Sequence, residues 1–267
     1  MTDPLELRDL AVRVAVEAAA LVRARRAEGV AVVATKSSAV DIVTETDRES
    51  EELIRAALRA ARPHDGFVGE EGGSAETTSG VTWVVDPIDG TVNFLYGVPA
   101  YAVSIAARTE REVVAGAVVN VANGEVFSAS RGGGAFLDGT RLQVRPSPPV
   151  DQRLVATGFW YDAQFRAAQG AAVARLLPLV RDIRRGGSCA LDLCSVAAGR
   201  CDAYVEEGPA PWDYAAGGLV AEEAGARLEL RPGANGQTCV ICAPADGFAE
   251  FAALVEGAGF LERERGE

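Results

Sequence analysis

The sequence predicts a mixed fold, an α+β half followed by an α/β half. Three observations point to it. Two stretches with helical apolar spacing open the chain, over 5–26 and 48–61. Short strand-like runs then dominate from residue 81 to residue 144, with Asn123-Gly124 as a strong hairpin turn. After residue 150, strand-like and helix-like stretches alternate, as they do where helices pack on a sheet.

In the first helix Leu5, Leu7, Leu10, Val14, Ala18 and Leu21 fall near helical spacing, with Arg and Glu between them. In the second, Leu53, Ile54, Ala57 and Leu58 share a face, Asp47 stands as N-cap and Pro63 as the stop. "VTWVVD" (81–86) reads as a strand that ends at Asp86. "AVSIAAR" (102–108), "VVAGAVVNV" (113–121) and "EVFSAS" (125–130) read as a meander, which "GGGAFLDGTRLQV" (132–144) continues through a turn at Asp138-Gly139. "RPSPPVD" (145–151) is the expected boundary between halves at 1–145 and 150–267. The second half then alternates: strand 153–157, helix 164–180, strand 182–184, helix 188–199, strand 202–205 and helix 213–225. Strands 226–230 and 238–242 and a helix over 246–257 complete it.

The 267 residues, 48% of them hydrophobic, suffice for a sizeable core without staples. A net charge of −12 argues against a broad basic footprint for nucleic acid. It suits a chain that holds cations, which recruit an anionic substrate the bare protein repels. The odd count of five cysteines and the lack of a signal peptide point to a reducing cytoplasm. Cys239-Val-Ile-Cys242 has CxxC spacing, but its β-branched interior reads as buried strand. The lone histidine, His64 in "RPHDG", reads as a turn residue and leaves little room for a Ser-His-Asp triad or a multi-histidine zinc site. No apolar run is long enough to span a bilayer.

The stretch that most demands explanation is "WVVDPIDGTVNF" (83–94). Asp86 and Asp89 repel each other, and Pro87 sacrifices a backbone donor beside a strand. A turn there lets Asp86, the Ile88 carbonyl and Asp89 offer several oxygens to one small space, the donor type that hard divalent cations prefer. Gly90 permits close backbone approach, and the Gly90 and Thr91 N–H groups face an anion if they open a helical turn. Without a cation the same stretch is an Asp-rich turn leading into a helix. "GEEGG" (69–73) places Glu70 and Glu71 in a glycine-flanked loop, and "KSSAVDIVTETD" (36–47) carries Lys36, Asp41, Thr44 and Asp47. "PWDYAAGG" (211–218) puts Asp213 at a helix start, followed by small residues that permit close packing. Singly, these acids read as solvated charges or helix caps.

Together and in this order, "KSSAVDIVTETD", "GEEGG", "WVVDPIDGTVNF", "RRGGSCALDLC", "DAYVEEG" and "WDYAAGG" resemble segments of the inositol monophosphatase family, its bacterial members most of all. The resemblance spans nearly the whole chain, and "DPIDGT" followed by "WDYAAGG" is its most specific pair. It implies a layered α-β-α-β-α sandwich of the sugar phosphatase type, a homodimer, and Mg²⁺-dependent, lithium-sensitive hydrolysis of a small phosphorylated polyol such as myo-inositol 1-phosphate. It implies two or three Mg²⁺ ions. Glu70, Asp86 and the Ile88 carbonyl match the ligands of the first, and Asp86, Asp89 and Asp213 those of the second. Glu70 and Thr91 match the pair that aligns and deprotonates water, with Asp47 behind Thr91. Gly90 and Thr91 match the phosphate cradle; Ser188, Cys189, Glu206 and Asp213 match positions around the inositol. Lys36, Asp41 and Glu71 match supporting positions. Cys189 stands where the family often has alanine, and Pro209-Ala210-Pro211 reshapes the approach to Trp212, so both bear on substrate choice.

Other readings fit the same residues. A haloacid-dehalogenase-type phosphatase needs an Asp where Pro87 stands. The same chemistry extends to 3′-phosphoadenosine-5′-phosphate, fructose 1,6-bisphosphate or histidinol phosphate. A cation-binding regulatory dimer is the reading without catalysis.

Overall fold

The computed structural model describes residues 3–30, 32–35, 42–72 and 74–262. Lys36 and Asp41 lie outside the described residues. The chain opens with helix α1 (Pro4–Glu28), a hairpin of β1 (Val32–Thr35) and β2 (Ile42–Thr44), and helix α2 (Glu45–Ala61). A large sheet follows: β3 (Gly66–Gly69), β4 (Ser74–Ala75), β5 (Thr82–Asp89), β6 (Ala102–Arg108), β7 (Val113–Asn120), β8 (Val126–Ser130), β9 (Gly134–Leu137) and β10 (Thr140–Arg141). The short helix α3 (Thr91–Tyr96) interrupts it after β5. Strand order is β10-β9-β8-β7-β6-β5-β3-β4, antiparallel except for β3 beside β5.

The second sheet comes from β11 (Leu154–Thr157), β12 (Asp182–Arg184), β13 (Ala203–Glu207), β14 (Ala226–Pro232) and β15 (Thr238–Pro244), in the order β12-β11-β13-β15-β14. Its first three strands are mutually parallel. Its helices are α4 (Ala163–Leu176), α5 (Cys189–Ala197), α6 (Pro211–Glu223) and α7 (Phe248–Ala258).

Side-chain alternation sorts these elements into five layers. On β5 and β6, Trp83, Val85, Val103 and Ile105 face α1 and α2, whereas Val84, Ala102 and Ala106 face α5 and α6. On β13 and β15, Tyr204, Val240 and Cys242 face that same middle helix pair, whereas Val205, Cys239 and Ile241 face α4 and α7. The order is therefore α1α2, large sheet, α5α6, small sheet, α4α7: the expected α-β-α-β-α sandwich. The small residues of α6 make the middle layer thin. A Cβ on Gly217 would sit 2.8 Å from the Ala190 carbonyl oxygen, and one on Gly116 of β7 3.0 Å from Ala216 Cα.

Alternation also settles the cysteines. Cys239 and Cys242 point to opposite faces of β15, so the CxxC spacing makes no joint site. All five cysteines are free and buried. His64 lies in an exposed turn, its carbonyl accepting from the Thr78 and Ser79 N–H groups. No helix among the described residues is long and apolar enough to cross a membrane.

Several sequence expectations need correction. On α1 the buried stripe is Leu7, Leu10, Ala11, Val14, Ala15, Ala18, Ala19 and Val22, and Leu5 is exposed. The helix expected over 164–180 stops at Leu176, where Pro178 forces a 3₁₀ turn. β5 does not stop at Asp86 but runs on to Asp89. Asp47 and Asp213 are third residues of α2 and α6, not N-caps. Each carboxylate reaches back to the N–H that precedes its helix, Thr44 at 2.8 Å and Ala210 at 2.6 Å.

Candidate active site

The site begins with an irregularity in β5. Asp86 pairs with Ser104 and Asp89 with Ala102, so three residues of β5 advance against two of β6. In a regular strand Asp86 and Asp89, an odd number of residues apart, point to opposite faces. The extra residue of this β-bulge brings them to one side. Pro87 suits the gap because it has no N–H to pair, and its carbonyl accepts from Ser50 of α2 at 3.2 Å. The Ile88 N–H turns onto Asp86 Oδ1 at 2.9 Å while its side chain is fully buried.

Asp213 comes to the same place on α6. The Ser104 hydroxyl, beside Asp86 in the ladder, donates to the Trp212 carbonyl at 3.2 Å and ties the first turn of α6 to the sheet. Carboxylate oxygens of Asp86, Asp89 and Asp213 consequently lie within 4.8 Å of one another. Asp89 is held from the other side by the start of α5: its Oδ2 accepts from the Ser188 hydroxyl at 2.5 Å and the Ala190 N–H at 2.7 Å. Ser188 caps α5 with the same oxygen, accepting from the Leu191 N–H at 3.2 Å.

Glu70 follows β3 on a loop that Glu51 of α2 fastens. Glu51, 1% exposed, accepts from the Glu71 N–H at 2.8 Å and pairs with Arg55 at 2.5 Å, packed against Gly69, where a Cβ would collide with it. Thr91 opens α3 after Gly90, whose φ of 92° is left-handed. The Thr91 hydroxyl lies 3.1 Å from Asp47 Oδ1 and 3.0 Å from the Ile88 carbonyl oxygen, both acceptors for its one proton. Asp47 is also held by the Thr44 hydroxyl. The Asn93 amide donates to the carbonyls of Ala100 at 2.7 Å and Gly186 at 2.9 Å, joining the α3 segment to the loop before α5.

These pieces line an open cleft. Glu70, Asp86, Ile88, Asp89, Gly90, Thr91, Ser188, Cys189, Glu206 and Asp213 all line it, so ten of the residues singled out in the sequence converge there. Asp47 stands behind Thr91. Glu71 does not line the cleft; its backbone N–H secures the Glu70 loop to Glu51.

The electrostatics record crowding. Burial, then Glu70, Asp89 and Asp213, push the Asp86 carboxyl well above its usual range. Burial, then Asp89 and Glu70, do the same to Asp213. Burial lifts Asp89 to about 6 against the hydrogen bonds from Ser188 and Ala190. Burial lifts Asp47 to about 6 and Glu206 to about 7, the latter opposed by the Tyr204 hydroxyl donating at 2.8 Å. Arg185 is the one cationic side chain lining the cleft among the described residues. An all-oxygen donor set so short of positive charge fits hard divalent cations.

Sequence reasoning missed part of the wall: Gly158, Phe159, Trp160, Tyr161, Arg185, Gly187 and Gly208. Their signal was topological. Gly158 follows β11, Arg185 follows β12 and Gly208 follows β13, so all stand at the carboxyl ends of parallel strands, where open α/β sheets bind ligands. Glu70, after β3, and Asp89, ending β5, obey the same rule in the other sheet.

Acidic oxygens gathered at these strand ends, in this layered sandwich, define a metal-dependent phosphatase. More particularly, the chain belongs to the inositol monophosphatase family, whose sequence model matches residues 3–256. It is 48% identical over 267 residues to the inositol-1-monophosphatase SuhB of Mycobacterium tuberculosis, covering 93% of this chain and 92% of that protein. It is 40% identical over 219 residues to the Nus factor SuhB of Escherichia coli, covering 81% and 82%. A solved structure of Mycobacterium tuberculosis SuhB is similar with a TM-score of 0.85 at 45% identity, covering 98% of this chain and all of that one.

Proposed function

We propose that the protein hydrolyses small phosphate monoesters, myo-inositol 1-phosphate foremost, with Mg²⁺ as cofactor. The observation that supports this most is the convergence of Asp86, Asp89 and Asp213 from one bulged strand and one distant helix. These three, with Glu70 and the Ile88 carbonyl, would hold two or three ions. Such cations supply charge that offsets the phosphate dianion and make a nearby water more acidic.

The chain's own groups supply orientation and proton traffic. When the Thr91 proton lies toward Asp47, the Thr91 Oγ1 lone pairs are available to a water in the cleft. Glu70, on the same wall, accepts that water's proton. The backbone N–H groups opening α3 have no partner within the helix and face the phosphate oxygens. Glu206 and the Cys189 rim receive the alcohol part. Two protomers acting in the cytoplasm on small phosphorylated polyols, without nucleic acid, complete the proposal; the net charge of −12 supports the last point.

A phosphate-release panel tests it. Inositol 1-phosphate, 3′-phosphoadenosine-5′-phosphate, fructose 1,6-bisphosphate and histidinol phosphate are compared with and without Mg²⁺, and with lithium. Activity that needs Mg²⁺ and falls with lithium is expected. An undiminished rate in chelator overturns the metal mechanism.

A further inference from the structure

Where β11 and β13 part, a buried glutamine spans the gap. The two strands run parallel and stay paired from Val155–Ala203 to Thr157–Val205, and the Thr157 hydroxyl donates to the Val205 carbonyl at 2.7 Å. Beyond that pair the ladder ends and the cleft opens, as at the carboxyl ends of other parallel strands. β11 runs into residues 158–161 and then into α4, whose N-cap is Asp162. β13 continues through Glu206 and Glu207 to Gly208. Gln169, in the second turn of α4 and 3% exposed, joins the two branches. Its Oε1 accepts from the Trp160 N–H at 2.9 Å, and its Nε2 donates to the Glu207 carbonyl at 2.8 Å. One side-chain amide thus takes the place of ladder bonds.

The two branches are unequally held. The Glu207 carboxylate accepts from the Asn235 N–H and the Asn235 side-chain amide, each at 2.7 Å, and the Gly208 N–H donates to the Thr238 carbonyl at 2.9 Å. Glu206 accepts from the Tyr204 hydroxyl at 2.8 Å. β13 is therefore a fixed post, and the 158–161 branch leans on it. A Cβ on Gly158 would fall on the Glu206 carboxylate, and one on Gly208 on the Trp160 ring. Glu206 and Trp160 both line the cleft, so the span of the amide sets the opening between them. An apolar side chain of the same size would fill the space under α4 without the cost of burying polar atoms. What the amide adds is its two bonds.

We propose that Gln169 is a positioning residue for substrate choice: it holds the Trp160 branch against the Glu206 branch and so shapes the part of the cleft that receives the alcohol. The proposal rests on the phosphatase reading, in which the acids of the large sheet and α6 serve the hydrolysis. Gln169 lies outside the cleft wall, so its loss acts on KM and spares kcat.

Gln169→Leu removes both bonds at nearly constant volume. Inositol 1-phosphate and ethyl phosphate, whose alcohol part has no further hydroxyl, serve as probes. KM for inositol 1-phosphate is expected to rise about fivefold, the usual worth of a hydrogen bond, while kcat and both constants for ethyl phosphate stay unchanged. Gln169→Asn, one methylene shorter, cannot reach both partners and is expected to shift KM in the same direction. Leu176→Ala, which removes buried bulk further along α4, lowers Tm and leaves KM unchanged. Acrylamide quenching of tryptophan emission reads the Trp160 branch itself. It is expected to rise in Gln169→Leu and not to rise when the same change is made in a Trp160→Phe background. An unaltered KM for inositol 1-phosphate in both Gln169 variants, an equal change for both esters, or a KM shift of the same size in Leu176→Ala overturns the proposal. If the parent hydrolyses neither ester, the phosphatase reading falls separately. Quenching then decides the clamp: a rise in Gln169→Leu upholds it, and unchanged quenching overturns it.

Discussion

Asp89 carries contradictory duties, and its substitution separates them. It is 7% exposed, faces Asp86 and Asp213, and yet caps the start of α5 through Ser188 and Ala190. Asp89→Asn keeps an oxygen for the cap and removes a charge from the crowd. Phosphate release is expected to fall by about two orders of magnitude or more, as when a group that stabilises developing charge is lost. The metal-free variant is expected to melt at a higher temperature than the metal-free parent, because a buried like-charge contact has gone. Melting in chelator checks this; a lower Tm for the variant refutes the crowding argument. Glu206 poses the related question of shape. Gly158→Ala puts a methyl group where its carboxylate lies. The expected result is a raised KM with kcat less affected, and a stability loss of about 1–3 kcal/mol from overpacking.

Among the elements, β5 was the most legible, because apolar residues followed by Asp-Pro-x-Asp demand an explanation that few folds provide. Its continuation past Asp86 was not legible. A bulge is a matter of register with β6, and register is absent from a single stretch of sequence. β3 escaped notice because Gly-Phe-Val-Gly is too short to show alternation, and it gains its place by pairing with β5. The caps were misread by three residues for a physical reason: Asp is at home both as N-cap and as the third residue reaching back. Phe159–Tyr161 were missed because nothing local marks them, and Arg185, though inside "RRGGSCALDLC", was given no role; only the parallel pairing of β11, β12 and β13 places them together. α6 was read correctly as a closely packed helix from Ala215-Ala-Gly-Gly218. Gly217→Val tests that packing. The added side chain meets the Ala190 carbonyl, and a loss of about 2 kcal/mol or more is expected by thermal or urea unfolding.

For the whole molecule the acidic cleft makes stability depend on pH and on cations. Burial raises Asp47 and Asp89 from an ordinary 3.8 to about 6. A carboxyl raised on folding binds more protons in the native state than in the unfolded chain between those values. Stability therefore falls as pH rises through that window and is fullest below it. The metal-free protein is expected to lose Tm between about pH 4 and pH 6, and the raised Asp86 and Asp213 carboxyls act in the same direction. Mg²⁺ is expected to reverse it, by about 2.7 kcal/mol at a hundred times its Kd. Melting curves across pH with and without Mg²⁺ decide the matter; a Tm indifferent to Mg²⁺ at pH 7 excludes binding at these acids.

The two sheets meet the cleft with different parts. The large sheet and α6 bring the four clustered acids, whereas the loops after β11 and β12 bring Trp160 and Arg185 to the rim and β13 itself brings Glu206. Reactivity and selectivity are thus carried by separate stretches of backbone. Descendants of such a chain are free to exchange the 158–161 or 185–187 loop for another and acquire a new diet, while the machinery that breaks the phosphate ester is inherited intact.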